Sequence, residues 1–378
     1  MAQVLRIWWP VFIALLLIQM GNGLAGSLIS VTGESAHVSP LVQGLILSAF
    51  FGGSIVGSFS APLLIARTSH ALSAALYTWI LVFTTAGFAV SGDPWIWILM
   101  RLAAGAAITG MFASIEGWLS LSISNDIRAR VFSIYIFIQL AGLASGQLLL
   151  SARSVGTSPL FLFSAGLMAL AALCYHAERA RSPASASATH VAFFRLVFRA
   201  RLGVLCICLS GFSWAALMAS GPALVEMLGL SDLNKSLFMA LAVVSGMASQ
   251  LPVGWLADHF DRRRVLAGLS TVAALGAILP LFDLGQSSLF AFSAIYGAAT
   301  FPLYAVGVAC ISEVMDQGER TSASAIMIVL FDIGAVAAPL LLAQGMALFG
   351  PTAYFLLQFV PHALFAIALT TLVFTRRQ

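Results

Sequence analysis

The sequence predicts an all-α integral membrane protein, with twelve spanning helices arranged as two six-helix halves. Three observations predict it: an apolar composition, a regular succession of long apolar runs, and an internal repeat. Of the 378 residues, 60% are hydrophobic and 8% are charged, where a soluble domain carries about 25% charged residues. The mean hydropathy is +1.00. Runs of about 20 apolar residues, long enough to cross ~30 Å of hydrocarbon as a helix, recur between short polar breaks. They fall at roughly 7–30, 40–65, 71–91, 95–120, 130–151, 159–176, 202–228, 236–257, 265–282, 287–312, 321–346 and 352–374. Lipid offers main-chain amides no partners, and the alternating strands of a membrane barrel are absent from the pattern, so each run is read as a helix. The first run is too long for a signal peptide and lacks a cleavage site, so it is expected to stay as a span.

Charge sets the expected topology. A net charge of +4 and a pI near 9.1 could point to nucleic acid, but the positive residues follow the breaks between spans. With the N-terminus inside, 15 of the 18 Lys+Arg fall on the cytoplasmic side; Arg153 and Lys235 lie outside and Arg101 is embedded. That asymmetry places both termini in the cytoplasm and makes the lipid bilayer, not nucleic acid, the expected partner. Cys174, Cys206, Cys208 and Cys310 all fall inside spans without metal-ligand spacing and are read as buried structural thiols. Neither a metal nor a cofactor is expected, and the chain is expected to be a monomer.

The longest break, His176 to Arg201, holds small residues, a proline and five arginines. It reads as a linker whose end lies on the membrane surface. The expected division is therefore 1–177, a linker over 178–200, and 201–378. The halves repeat: sliding 105–150 by 192 positions onto 297–342 aligns without a gap and gives twelve identities in 46 positions. Among them are Gly105/Gly297, Arg128/Arg320 and Gly142/Gly334. An offset of 193 lays Gly53 on Gly246. Parallel halves around a midplane site are one design for alternating access.

The stretch "VGWLADHFDRRRVL", between spans 8 and 9, packs two carboxylates, a histidine and three arginines into Asp258 to Arg264. A carboxylate at the end of one helix can sit on the positive end of a neighbour, worth ~0.3–1 kcal/mol when exposed. Asp258 with Arg262 and Arg128 or Arg130 is read as a latch between the halves. Arg263 and Arg264 are read as topology determinants. "GWLADHFDRRR" resembles the loop signature of the major facilitator superfamily, roughly G-x-L-a-D-r-x-G-r-R. Gly254, Leu256, Ala257, Asp258, Arg262 and Arg263 match, while Asp261 replaces the usual glycine and His259 the usual basic residue. "RLAAGAAITGMFASIEGWL", from Arg101, is similar to the arginine-bearing fourth span of that superfamily. In "ISEVMDQGERTS", Glu313 and Arg320 resemble the E-x6-R pairs of its sugar-transporting branches. Chain-wide, the likeness is to a bacterial inner-membrane branch whose substrates are mostly unassigned. It implies a twelve-span fold, a transport activity, and a pathway faced by spans 1, 4, 7 and 10.

An ionisable group near the bilayer centre costs ~3 kcal/mol on insertion scales and needs a reason to be there. Asp332, in "MIVLFDIGAVAAP", is about twelve residues into span 11, roughly 18 Å deep at 1.5 Å per residue. A low dielectric disfavours the charged form of a carboxyl group, which makes Asp332 the leading proton-coupling candidate. The other reading is a neutral acid bonded to a main-chain carbonyl or Gln139. Arg101 either binds an anionic substrate or braces Gln19 or Asn22. Glu116 lies 15 residues further along, roughly 22 Å away, so the two do not pair. Glu116 is a second proton or gate candidate, or a partner of Arg128 or Arg130. Glu226 is read as solvated at the outer face.

The polar and aromatic residues that could line a cavity are Gln19, Asn22, Thr109, Tyr135, Gln139, Trp214, Tyr296, Thr300, Tyr304 and Phe331, with Arg101. Together they suit a modest-sized neutral, amphipathic or singly charged molecule. "GLASG" (Gly142 to Gly146) and "GAVAAP" (Gly334 to Pro339) have the small-residue spacing that allows close helix approach. They resemble a glycine–proline motif of antiporters in the superfamily, with Gln147 in place of the first proline, and leave the direction of transport open.

The reading that follows is a secondary active transporter, proton-coupled, moving a small organic solute by alternating access. Its alternative is an uncoupled uniporter or a lipid-moving member of the same fold. A membrane enzyme would need convergent catalytic groups, and a channel would need rings of like residues or filter loops. The sequence has neither, and it lacks a phosphate-cradling loop for ATP.

Overall fold

The computed structural model describes residues 2–35, 38–123, 125–178, 198–282, 285–313 and 320–375, with side chains for these except 2–6, 34–35, 125–126, 128–130, 320–325 and 372–375. Every regular element among them is helical. Among the described residues twelve helices are long and apolar enough to cross a membrane: span 1 (Ile7–Gly33), span 2 (Pro40–Arg67), span 3 (His70–Val90), span 4 (Pro94–Ser122), span 5 (Val131–Val155), span 6 (Thr157–Ala177), span 7 (Arg201–Met227), span 8 (Asp232–His259), span 9 (Arg262–Phe282), span 10 (Gln286–Glu313), span 11 (Ile326–Phe349) and span 12 (Thr352–Thr371).

The breaks between spans carry their own signals. Ser69 accepts a hydrogen bond from the Leu72 amide and starts span 3, and Ser231 does the same for span 8 through Asn234. Asp93 caps span 4 by accepting from the Trp95 amide at 2.8 Å, with Pro94 at the first helical position, where a missing N–H costs nothing. Gly229 and Gly350, at φ of 68° and 73°, close spans 7 and 11 in the left-handed conformation that glycine tolerates.

Three spans depart from the uninterrupted helices expected. The last residues of span 5 tighten into a 3-10 helix over Leu149–Val155. Span 10 breaks into Gln286–Thr300 and Leu303–Glu313, because Pro302 has no N–H for the helical ladder. Span 7 runs as an α-helix over Arg201–Ala215, a π-helical segment over Ala216–Ser220, and an α-helix over Gly221–Met227. Pro222 follows that segment directly. Isolated π turns of this kind concentrate at functional positions.

The chain forms two compact units, Met1–Thr32 with Ala49–Thr189, and Gly33–Ser48 with His190–Gln378. In the first, span 3 packs on spans 4 and 6, and a core of Leu15, Ile18, Met111, Ile115, Trp118 and Tyr175 is closed by the edge-on contact of Trp8 and Trp118. In the second, span 12 packs on span 9, span 11 on span 7, and span 8 on span 10. Phe292 there stands between Phe238, Tyr296, Tyr354 and Phe355.

The internal repeat is visible in how each unit packs. A methyl group at Gly105 would overlap the Phe50 carbonyl, and one at Gly297 would overlap the Ala242 carbonyl. Both members of the second pair lie 192 positions beyond those of the first. The same offset relates Gly142, whose added methyl would stand 2.8 Å from the Leu16 carbonyl, to Gly334 against the Cys208 carbonyl. Helices 2 and 4 thus approach as 8 and 10 do, and 1 and 5 as 7 and 11.

Candidate functional site

In the first unit the polar candidates fall into small groups. Tyr135, from span 5, is buried and donates its hydroxyl hydrogen to Glu116 Oε1 of span 4 at 3.1 Å. Gln139, one turn further along span 5, lies near that hydroxyl. The structure therefore joins Glu116, Tyr135 and Gln139 into one cluster. Arg128 and Arg130, the other partners considered for Glu116, have side chains outside the described residues. Thr109 bonds Ser54 of span 2 at 2.5 Å.

Arg101 is 6% exposed, and its guanidinium stacks over the Phe50 ring at 4.2 Å. It does not brace Gln19 or Asn22: no hydrogen bond joins them, and Nε of Arg101 and Oε1 of Gln19 are both buried without a hydrogen-bond partner among the described residues. The close crossing of spans 2 and 4 at Gly105 brings the aromatic face of Phe50 to Arg101, and a cation on such a face is attracted by the ring quadrupole. Asn22 is half-buried. Ser27 donates to Gln147, which gives the glutamine at the expected proline position a buried partner on span 1.

In the second unit Asp332 is 2% exposed on span 11, just beyond Phe331, whose main chain abuts Gly211 of span 7. Trp214 meets Phe301 at a tilt, with ring centroids 4.7 Å apart, and Tyr304 meets Phe331 edge-on at 5.6 Å. Tyr296 and Thr300 are committed to internal bonds: Thr300 to the Tyr296 carbonyl, and the Tyr296 hydroxyl to Ser213 Oγ. Fully buried, Tyr296 lines no open surface here.

The charged loop is arranged differently from the expected Asp258–Arg262 pair. Asp258 is exposed and makes no ion pair with Arg262. Arg262 reaches the end of span 10 instead, with Nη1 2.5 Å from Glu313 Oε1 and 3.1 Å from the Ala309 carbonyl. The reason is electrostatic, since the last carbonyls of a helix carry partial negative charge and Glu313 adds a full one. Arg320, the expected partner of Glu313, has its side chain outside the described residues, as do residues 179–197 of the linker. Gly254 has open space where a Cβ would stand.

Glu226 is not simply solvated. Lys235, with a side chain only 7% exposed, bonds Glu226 at 2.5 Å and Asp232 at 3.0 Å, tying span 7 to span 8. Of the four cysteines only Cys206 is fully buried, its thiol directed at the Leu303 carbonyl.

One polar group escaped the reading of the sequence. His362, on span 12, is fully buried and bonds both Ser213 of span 7 and Tyr296 of span 10. An imidazole within an apolar span was itself the signal, because an ionisable side chain there is a site by default.

Comparison with known proteins agrees with this architecture. The "Uncharacterized MFS-type transporter YcaD" of Escherichia coli K12 is 27% identical over 348 residues, covering 91% of this chain and 90% of that one. Its counterpart in Escherichia coli strain UMN026 matches to the same extent. Among solved structures, the nucleoside transporter NupG superposes with a TM-score of 0.75 at 15% identity, over 96% of this chain and 98% of that one. A bacterial homolog of the human lysosomal transporter Spinster, inward-facing and unoccupied, gives 0.73 at 14% identity, over 96% and 94%. These two likenesses concern the fold. The family model of the Major Facilitator Superfamily matches residues 11–249 and again 203–378, and so the chain belongs to the Major Facilitator Superfamily of membrane transporters.

Proposed function

We propose that this transporter is secondary active and proton-coupled, and that it carries a small neutral, amphipathic or singly charged organic solute across a bacterial inner membrane by alternating access. Both termini are then cytoplasmic, the two halves 1–177 and 201–378 rock about the solute, and the protein works as a monomer. The observation that carries the coupling is Asp332, a carboxyl group buried in span 11. Such a group is retained in an apolar helix for a function or for a specific internal bond. The Glu116–Tyr135–Gln139 cluster is the second candidate for handling protons. Arg101 supplies the one positive charge buried within the first unit's described spans, suited to an anionic or carbonyl-bearing part of the solute. Asp258, Arg262 and Glu313, with Arg128, Arg130 and Arg320, form the cytoplasmic gate of this reading.

The test is uptake into proteoliposomes from a panel of nucleosides, amphipathic amines and lysolipids, with and without an imposed pH gradient. Accumulation that follows the gradient supports coupling. Transport that merely equilibrates the solute would make the chain a uniporter, and movement of lysolipids alone would make it a lipid-moving member of the fold.

A further inference from the structure

The hydrogen bonds around His362 can be followed proton by proton. Ser213 Oγ donates to the Leu209 carbonyl at 2.8 Å, and the Tyr296 hydroxyl donates to Ser213 Oγ at 3.1 Å. Both hydroxyl hydrogens are then used. With the hydroxyl hydrogens so directed, His362 Nε2, 2.8 Å from Ser213 Oγ and 3.1 Å from the Tyr296 hydroxyl oxygen, carries the ring hydrogen and donates it. Nδ1 is left as a bare acceptor, fully buried and without a hydrogen-bond partner among the described residues. Eight residues earlier on span 12, Tyr354 donates to the Ala216 carbonyl at 2.8 Å. Ala216 opens the π-helical segment of span 7. Span 12 thus grips span 7 at two points on either side of Ala215.

We propose that Nδ1 of His362 is a proton-binding site: the neutral ring clamps span 12 to span 7, and a proton taken up there releases the π-helical segment Ala216–Ser220. The inference deepens the proton-coupled reading and rests on it. The Nδ1 lone pair takes a proton from hydronium, leaving water, and the ring gains one positive charge and a second N–H. In the closed network that new donor has no acceptor and the charge no counter-ion among the described residues. The ionisable groups on the packed spans are Cys206, Cys208, Arg201 and Glu226 on span 7, and Arg262, Arg263 and Arg264 on span 9. Span 10 adds Tyr296, Tyr304, Cys310 and Glu313, span 11 adds Asp332, and span 12 adds Tyr354. None of the carboxylates makes an ion pair with His362 among the described residues. Proton binding and separation of the clamp are consequently linked: the neutral form favours the closed contact, the charged form the open and hydrated one.

Hydrogen–deuterium exchange of the full chain in nanodiscs tests this without any solute. Protection of the amides of 213–221 is compared at pH about 5 and about 8, after correction for intrinsic exchange. The expected result is a loss of protection at the lower pH of about tenfold or more, which is the population shift worth following. His362→Gln keeps a side-chain N–H donor for Ser213 but cannot titrate, and should show no pH response. Asp332→Asn should keep the wild-type response, so that failure of the Asp332 assignment and failure of this one are told apart. A wild-type protein with no pH response, or a His362→Gln protein that retains it, overturns the proposal. Nitrogen-15 labelling of the histidines in the wild-type protein gives a second reading at pH about 8: a neutral His362 ring that carries its hydrogen on Nδ1 rather than Nε2 would also overturn it.

Discussion

Gly334 lies so close to the main-chain carbonyl of Cys208 that there is no room between them for a methyl group. Helices without a hydrophobic driving force between them associate through such close backbone approach. Gly334→Ala must push spans 7 and 11 apart, and overpacking of this kind costs about 1–3 kcal/mol. Gly142→Ala, with 2.8 Å to the Leu16 carbonyl, should cost less. Thermal unfolding in detergent ranks the two; equal losses would contradict the geometry.

Asp332→Asn is expected to abolish solute accumulation driven by a pH gradient while sparing solute exchange. Counterflow and gradient-driven uptake, measured on one preparation of proteoliposomes, separate the two activities. Accumulation that survives the substitution removes Asp332 from the coupling.

The two ion pairs of the second unit should differ in strength. Lys235 has a side-chain exposure of 7% and holds two carboxylates, whereas the Glu313 partner of Arg262 is 61% exposed. Removing one partner of a buried pair costs about 3–5 kcal/mol, while exposed pairs contribute about 0.2–1 kcal/mol. Lys235→Met is therefore expected to lower the unfolding temperature far more than Arg262→Ala. Raising the salt concentration should erase the small Arg262 effect and leave most of the Lys235 effect.

Tyr135→Phe removes the donor to Glu116, 3.1 Å away. The loss of such a bond costs about 0.5–1.5 kcal/mol, or up to about 3 where the carboxyl group is charged. Glu116→Gln keeps an acceptor for the hydroxyl and should be the milder change. Unfolding midpoints of the two variants and their combination, arranged as a double-mutant cycle, read the coupling directly.

The twelve spans were legible because membrane length and apolar composition are properties of single segments. Their ends were legible only in principle, at Ser69, Asp93, Ser231, Gly229 and Gly350, whose local capping and turn chemistry the structure brought out. The interruption of span 10 was legible in principle at Pro302. The π-helical segment of span 7 was not, since it is stabilised from outside by Tyr354. Asp332 and Arg101 stood out as charges among apolar residues, but their surroundings did not. Arg101 met Phe50 rather than an amide, and Arg262 met Glu313 rather than Asp258.

By itself the sequence determined that this chain crosses a membrane repeatedly as helices and is built from a duplicated unit. Those facts follow from the solvent each segment requires and from identities at a constant offset. Only the tertiary structure decided which polar groups share their hydrogens, as Ser213, Tyr296 and His362 do across spans 7, 10 and 12. Such partnerships depend on helix rotation and crossing within a few tenths of an ångström, and in an apolar chain no alternation of polar and apolar faces records that rotation.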